Sequence, residues 1–81
     1  MEGHFNLEKA HAITDGRIPG RIYTRDGYPV RIICWDAAGS LPIVGLVEYD
    51  SFERAEHYTA DGKNDIRRNV VTTYDLIIIE Q

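Results

Sequence analysis

Seven of the nine cationic residues in this 81-residue chain are arginine. Arginine recognises anions through a planar fork of donors, where lysine offers a point charge. Arg21, Tyr23, Arg25, Arg31 and Trp35 lie in one stretch around the tripeptide Arg25-Asp26-Gly27. Guanidinium groups beside flat rings suit an anionic ligand with a planar part, such as a nucleotide. The anion takes charge-assisted hydrogen bonds and the base takes a ring face. The same residue types are enriched where subunits meet. The face is equally open to being a ligand site, a subunit or partner interface, or a second packing layer beneath a helix.

Other chemistries fail on spacing. There is no C-x-x-C, no H-E-x-x-H and no histidine pair at metal spacing, and His4, His11 and His57 read as scattered surface residues. Asp61-Gly62-Lys63-Asn64-Asp65 resembles the start of a calcium loop, but Thr72 stands where a bidentate glutamate is required. Gly16 and Gly20 flank Arg17-Ile18-Pro19 without the Gly-Lys-Ser/Thr of a phosphate loop. Ser40 and Ser51 lack the context of a nucleophile elbow. Glu48, Asp50, Glu53 and Glu56 straddle a turn and read as solvated carboxylates. The expectation is a protein that is not an enzyme, with no catalytic residue, no metal and no cofactor.

The residues of interest need elements to hold them. Phe5 to Ile13 reads as a short helix with Asn6 as N-cap, Phe5 stapled onto Ala10, and Asp15-Gly16 as its stop. Arg21–Thr24 and Tyr28–Trp35 read as strands of a hairpin. A three-residue loop with Gly27 in the left-handed region sets Thr24 opposite Tyr28 and Ile22 opposite Val30. Ile22, Thr24, Tyr28, Val30, Ile32 and Cys34 then share one face, with Arg21, Tyr23, Arg31, Ile33 and Trp35 on the other. Pro42–Tyr49, apolar on both faces, reads as a central strand, with Gly45 marking a bulge or a close backbone approach. Glu53–Thr59 pairs next, Asp65–Thr72 is ambiguous, and Asp75–Glu80 closes the fold. Tyr23-Thr24-Arg25-Asp26-Gly27 and Tyr58-Thr59-Ala60-Asp61-Gly62 read as one turn device used twice. The predicted core is Ile22, Val30, Ile32, Cys34, Val44, Leu46, Leu76 and Ile78. The pattern is mainly β (α+β): a small bent antiparallel sheet or SH3-like barrel of five to six strands with one short N-terminal helix.

Composition bounds the class. The length fits one domain over residues 1–81. The net charge is −4 and is uneven, with five bases against four acids in residues 1–35 and four against nine in residues 36–81. That balance argues against a nucleic-acid polymer as partner. No apolar run approaches the roughly 18 residues of a membrane span, and the N-terminus lacks a signal-peptide core. Cys34 is the single cysteine and cannot form an internal disulfide. The chain reads as soluble and cytoplasmic, without a membrane partner. So small a domain has little room for an enclosed site, which points to a homo-oligomer that builds one between subunits.

Phe5/Leu7/Ala10, the block Thr24 to Ile33 (T-R-D-G-x-x-V-R-I-I), Pro42 to Val47 (P-I-V-x-L-V), Tyr58 to Gly62 (Y-T-x-D-G) and Asp75-Leu76 are distributed along nearly the whole chain. This pattern resembles small proteins of gut Bacteroidales, their phages and mobile elements. By analogy of size, context and fold, the resemblance extends to phage sponge proteins, which bind cyclic nucleotide signals of bacterial defence and withhold them from host effectors. It implies a non-enzymatic anti-defence protein that sequesters a small anionic cyclic nucleotide, in the host cytoplasm if viral. Arg21, Tyr23, Arg25, Arg31 and Trp35 are then the ligand-binding residues. The alternative is a protein–protein module that inhibits or regulates a host enzyme.

Overall fold

A computed structural model describes residues 2–67 and 70–80. Six strands and one helix follow in the order β1 (Glu2–His4), α1 (Leu7–Thr14), β2 (Gly20–Thr24), β3 (Val30–Cys34), β4 (Ile43–Glu48), β5 (Glu53–Tyr58) and β6 (Leu76–Glu80). They form two antiparallel three-stranded sheets, ordered β1-β6-β2 and β3-β4-β5. This is the expected mainly β architecture with one short helix. The sheets do not close into a barrel, so β1, β2, β3 and β5 are edges. No helix among the described residues is long and apolar enough to cross a membrane.

The helix begins where its cap dictates. Asn6 Oδ1 accepts the Lys9 N–H at 3.0 Å, and Gly16, at φ +77°, follows the last turn. Ala10 is wholly buried against the sheets, and Lys9 reaches Glu80 at 2.6 Å, tying α1 to β6.

The first hairpin has the expected register at its tip and then divides. Thr24 donates its N–H to the Tyr28 carbonyl, and Tyr23 bridges Pro29, which keeps Thr24 opposite Tyr28. Gly27 lies at φ +93°. Beyond the bridge, β2 pairs with β6 while β3 pairs with β4, so one hairpin feeds both sheets. Their inward faces meet: Ile22, Leu76 and Ile78 from one sheet pack on Val30, Ile32, Ile43, Val47 and Tyr58 from the other.

Three expected core positions lie elsewhere. In β4 the inward residues are Ile43, Gly45 and Val47, while Val44 and Leu46 alternate to the outer side and are half-buried. Parity was illegible there because both faces are apolar. Gly45 is nevertheless a close approach, since a Cβ on it would lie 2.6 Å from Val30 Cγ1. Cys34 is only half-buried. The ladder runs Arg31↔Leu46 and Ile32↔Gly45, then jumps to Cys34↔Val44, leaving Ile33 as an extra residue. That bulge turns Cys34 to the outer side with Val44 and carries Trp35 toward the core.

The two T-x-D-G segments are the same structure. At the first, Gly27 N–H reaches the Thr24 carbonyl at 2.9 Å and Tyr28 N–H reaches the Thr24 hydroxyl at 3.2 Å. At the second, Gly62 N–H reaches the Thr59 carbonyl at 2.9 Å and Lys63 N–H reaches the Thr59 hydroxyl at 3.2 Å. The surroundings differ. A Cβ on Gly27 would meet open space, whereas one on Gly62, at φ +80°, would run into the Phe5 ring. After the second turn the ambiguous segment 65–72 holds no strand among its described residues: 65–67 form bends and 70–72 are irregular, with Arg68 and Asn69 outside the described residues. Arg67 forks onto Asp65 at 2.8 and 3.1 Å there and, with its backbone N–H, holds that carboxyl down to about 2.

Three substitutions test this packing. Gly27→Ala carries only the left-handed backbone penalty, about 1–2 kcal/mol, and Gly62→Ala adds a steric conflict with Phe5. Urea unfolding should therefore show a clearly lower midpoint for Gly62→Ala, and equal midpoints would refute the turn environments. Tyr58 is fully buried and its hydroxyl has no hydrogen-bond partner among the described residues. An unsatisfied buried hydroxyl costs about 1–3 kcal/mol. Tyr58→Phe is expected to unfold at the same or a higher temperature than the parent chain, and a drop would show that the hydroxyl is bonded.

Candidate functional site

The division of the first hairpin opens a cleft of about 380 Å³ between the separating strands. Gly20, Arg21 and Ile22 of β2 form one side, and Val30, Arg31 and Ile32 of β3 form the other. Ile13 and Thr14 at the end of α1 and Glu48 at the end of β4 complete it. The cleft follows from the fold, because two strands that leave one turn for different sheets must part.

Arg21 and Arg31 are the two expected site residues that the structure brings together. Arg21 is exposed and has no ionic partner among the described residues. Arg31 reaches across the sheet to Glu53 on β5 at 3.3 Å, an exposed pair of the kind worth little in water. Thr14 donates its hydroxyl to the Ala10 carbonyl at 2.8 Å and keeps its oxygen lone pairs for another donor.

The other three lie apart. Tyr23 is half-buried on the side of β2 opposite the buried Ile22 and Thr24, paired with Ile77 of β6. Trp35 stacks on His11 of α1, with ring centroids 3.7 Å apart and planes inclined by 22°, and packs against the core. The bulge at Ile33 moves it out of the alternation that would have set it on the same face as Arg31. Arg25 lines a second cavity of about 250 Å³ with His4, Phe5, Asp61, Lys63 and Asp75.

Asp75 is the residue that sequence reasoning missed. Its side chain is nearly wholly buried. Oδ1 accepts the Asn64 N–H at 2.9 Å and the Thr72 hydroxyl at 2.9 Å, and Oδ2 accepts the Thr72 N–H at 3.1 Å. Lys63 Nζ stands 3.9 Å and Arg25 Nε 4.0 Å from Oδ2. Burial pushes this carboxyl up, but the N–H donors of Asn64 and Thr72, the Thr72 hydroxyl and the Lys63 charge outweigh it and leave it below its ordinary value. Arg25 therefore has more to do in the folded chain than a hairpin-tip residue ordinarily has. Its backbone N–H also donates to the Asp75 carbonyl at 2.9 Å. The only sequence signal for Asp75 was an acid set directly before an apolar strand, where a carboxylate must enter the protein with its neighbours.

Among the described residues no group of three His, Cys, Asp or Glu side chains is placed to hold a metal ion. Comparison with protein-family models, with curated proteins and with solved structures gave no match.

Asp75→Asn keeps the shape but turns an acceptor into a donor facing the Asn64 or Thr72 N–H. It is expected to cost about 1–3 kcal/mol at neutral pH. A carboxyl depressed in the folded state contributes fully above its unfolded value near ~3.9 and loses that contribution as pH falls through the folded value. The gap between parent and variant should hold down to about pH 4 and narrow below it. A pH-independent gap in chemical denaturation would show that charge plays no part.

Proposed function

We propose that this chain is a non-enzymatic binding protein that takes a small anionic nucleotide signal in the cleft between β2 and β3. The observation that carries this reading is Arg21, an exposed guanidinium without an ionic partner among the described residues, on a cleft whose other side bears Arg31. Two guanidinium groups suit phosphate oxygens. Glu48 and the Thr14 oxygen on the same cleft accept hydrogen bonds, which a bare phosphate cannot donate but a base amino group or ribose hydroxyl can. A volume near 380 Å³ falls in the range of small-ligand sites. The finer reading, sequestration of a cyclic nucleotide signal of bacterial defence by a phage-type sponge, rests on the sequence resemblance and sets the first ligands to try. Arg25 and Trp35 are not part of this site, and Tyr23 contributes at most from the adjoining face of β2.

A second reading, contact with a partner protein, is favoured by a chain of rings at the β4–β5 turn. Tyr28 and Tyr49 lie 4.7 Å apart, Tyr49 and Phe52 lie 4.9 Å apart, and Phe52 is 59% exposed. Such rings anchor protein interfaces.

The test is a thermal-shift panel of cyclic dinucleotides, cyclic trinucleotides and cyclic ADP-ribose isomers, followed by calorimetry on the best ligand. A ligand at 100 times its dissociation constant adds about 2.7 kcal/mol of stability. Arg21→Ala should leave the melting temperature nearly unchanged and weaken binding by about 1.5–3 kcal/mol, roughly tenfold to over a hundredfold. Arg21→Lys should recover only part, since an ammonium makes no bidentate fork. No stabilisation by any member of the panel, or undiminished binding by Arg21→Ala, would remove the cleft as the site and favour the partner-protein reading.

A further inference from the structure

We infer that the outer edge of β5 is a docking surface for a second copy of this chain, paired antiparallel about a twofold axis at Ala55. The inference does not rest on the ligand reading, since pairing at this edge needs no bound ligand.

β5 ends its sheet, so one side of its backbone is unpaired by any strand. Which groups face that side follows from the turn. Tyr49 donates its N–H to the Phe52 carbonyl at 2.9 Å, so Tyr49 and Phe52 are a hydrogen-bonded pair. Alternation along an antiparallel ladder then turns the backbone groups of Arg54, Glu56 and Tyr58 toward β4 and those of Glu53, Ala55 and His57 toward the edge. The Asn64 side chain bears this out, because its Nδ2 donates to the outward His57 carbonyl at 2.9 Å; that carbonyl can add a second donor through its other lone pair, and the Glu53 and Ala55 backbone groups are the ones without a strand partner.

A second β5 can add only in registers that bring outward residues opposite one another. Three such registers are centred on the middle of the strand. Centring on Arg54 sets two arginines face to face, and centring on Glu56 does the same with two glutamates. Like charges directly opposite are unfavourable. Centring on Ala55 sets Ala55 against its own copy, Arg54 against Glu56 of the second chain, and Glu53 against His57 of the second chain. Each polar pair occurs twice by symmetry. The small, exposed Ala55 leaves the axis unobstructed.

Local charges reinforce this register. Glu53 stands directly opposite Glu48 of β4 and takes Arg31 at 3.3 Å, and an imidazole N–H from the second copy would add a second donor to that carboxylate. Arg54 already turns toward one Glu56 oxygen of its own strand at 3.1 Å, while the other oxygen accepts Asn64 Nδ2 at 3.4 Å, so the pairing exchanges only the Arg54 contact for its symmetric equivalent. Charges on an edge strand ordinarily keep other strands away. Here their order E-R-A-E-H is complementary to its own reverse, which admits a second copy and opposes most other strands.

Sedimentation equilibrium over a concentration series is the test. The parent chain should dimerise reversibly. Arg54→Glu and Glu56→Arg should each weaken dimerisation about tenfold or more, because both symmetric pairs become repulsive. The double variant Arg54→Glu/Glu56→Arg should restore it by exchanging the charges in place. Amide hydrogen exchange gives a readout that needs no variant: the Ala55 N–H should gain protection as concentration rises. A parent chain that stays monomeric with a concentration-independent Ala55 amide overturns the inference. So does a double variant that associates no better than the single ones.

Discussion

The buried carboxylate of Asp75 is the point on which the joining of the two sheets depends. Its oxygens gather the Asn64 and Thr72 backbone amides and the Thr72 hydroxyl, and Arg25 and Lys63 stand close by. Its carbonyl takes the Arg25 N–H, and the next residue, Leu76, donates to the Gly62 carbonyl. The two T-x-D-G turns are thereby clamped on either side of the start of β6. One turn belongs to the first hairpin and the other ends β5, so this single residue joins the two sheets at one end of the molecule. A carboxylate can do this because it accepts several donors at once. Buried, it must also find them, since an unpaired charge there would be costly.

From that junction the strands diverge. β2 goes to β6 and β3 to β4, and the space between them is the cleft that bears Arg21 and Arg31. An open pair of sheets leaves edges that a closed barrel would not have. The cleft and the β5 edge are thus two results of one topological fact. Each carries chemistry suited to its place: guanidinium groups and hydrogen-bond acceptors on the cleft, and alternating opposite charges on the edge.

The bulge at Ile33 shows how one residue redistributes a site. Without it, strict alternation would put Trp35 on the same face as Arg31 and Cys34 in the core. With it, Trp35 turns to His11 and Cys34 turns outward. The aromatic and cationic residues that look like a single constellation along the chain are divided between a cleft, a junction and a packing contact.

The sequence by itself determined what depends on neighbours in the chain. Asn6 and Gly16 bound the helix, the Asp-Gly turns repeat with the same hydrogen bonds, and Thr24 opposes Tyr28. The tip register and the buried face of Ile22, Val30 and Ile32 also follow, because short loops and polar–apolar alternation are local. The inward side of β4 was not legible, since Val44 and Leu46 are as apolar as Ile43 and Val47 and alternation carries no signal there. Gly45 signalled a bulge or a close approach, but not that the extra residue would be Ile33 on the partner strand β3. Only the tertiary structure decided that the hairpin would split between two sheets, that Asp75 would find its donors in segments remote along the chain, and that Arg21 and Arg31 would keep company without Arg25 or Trp35. Those outcomes depend on which strand each edge pairs with, and that choice is made by the shared core and not by any one segment.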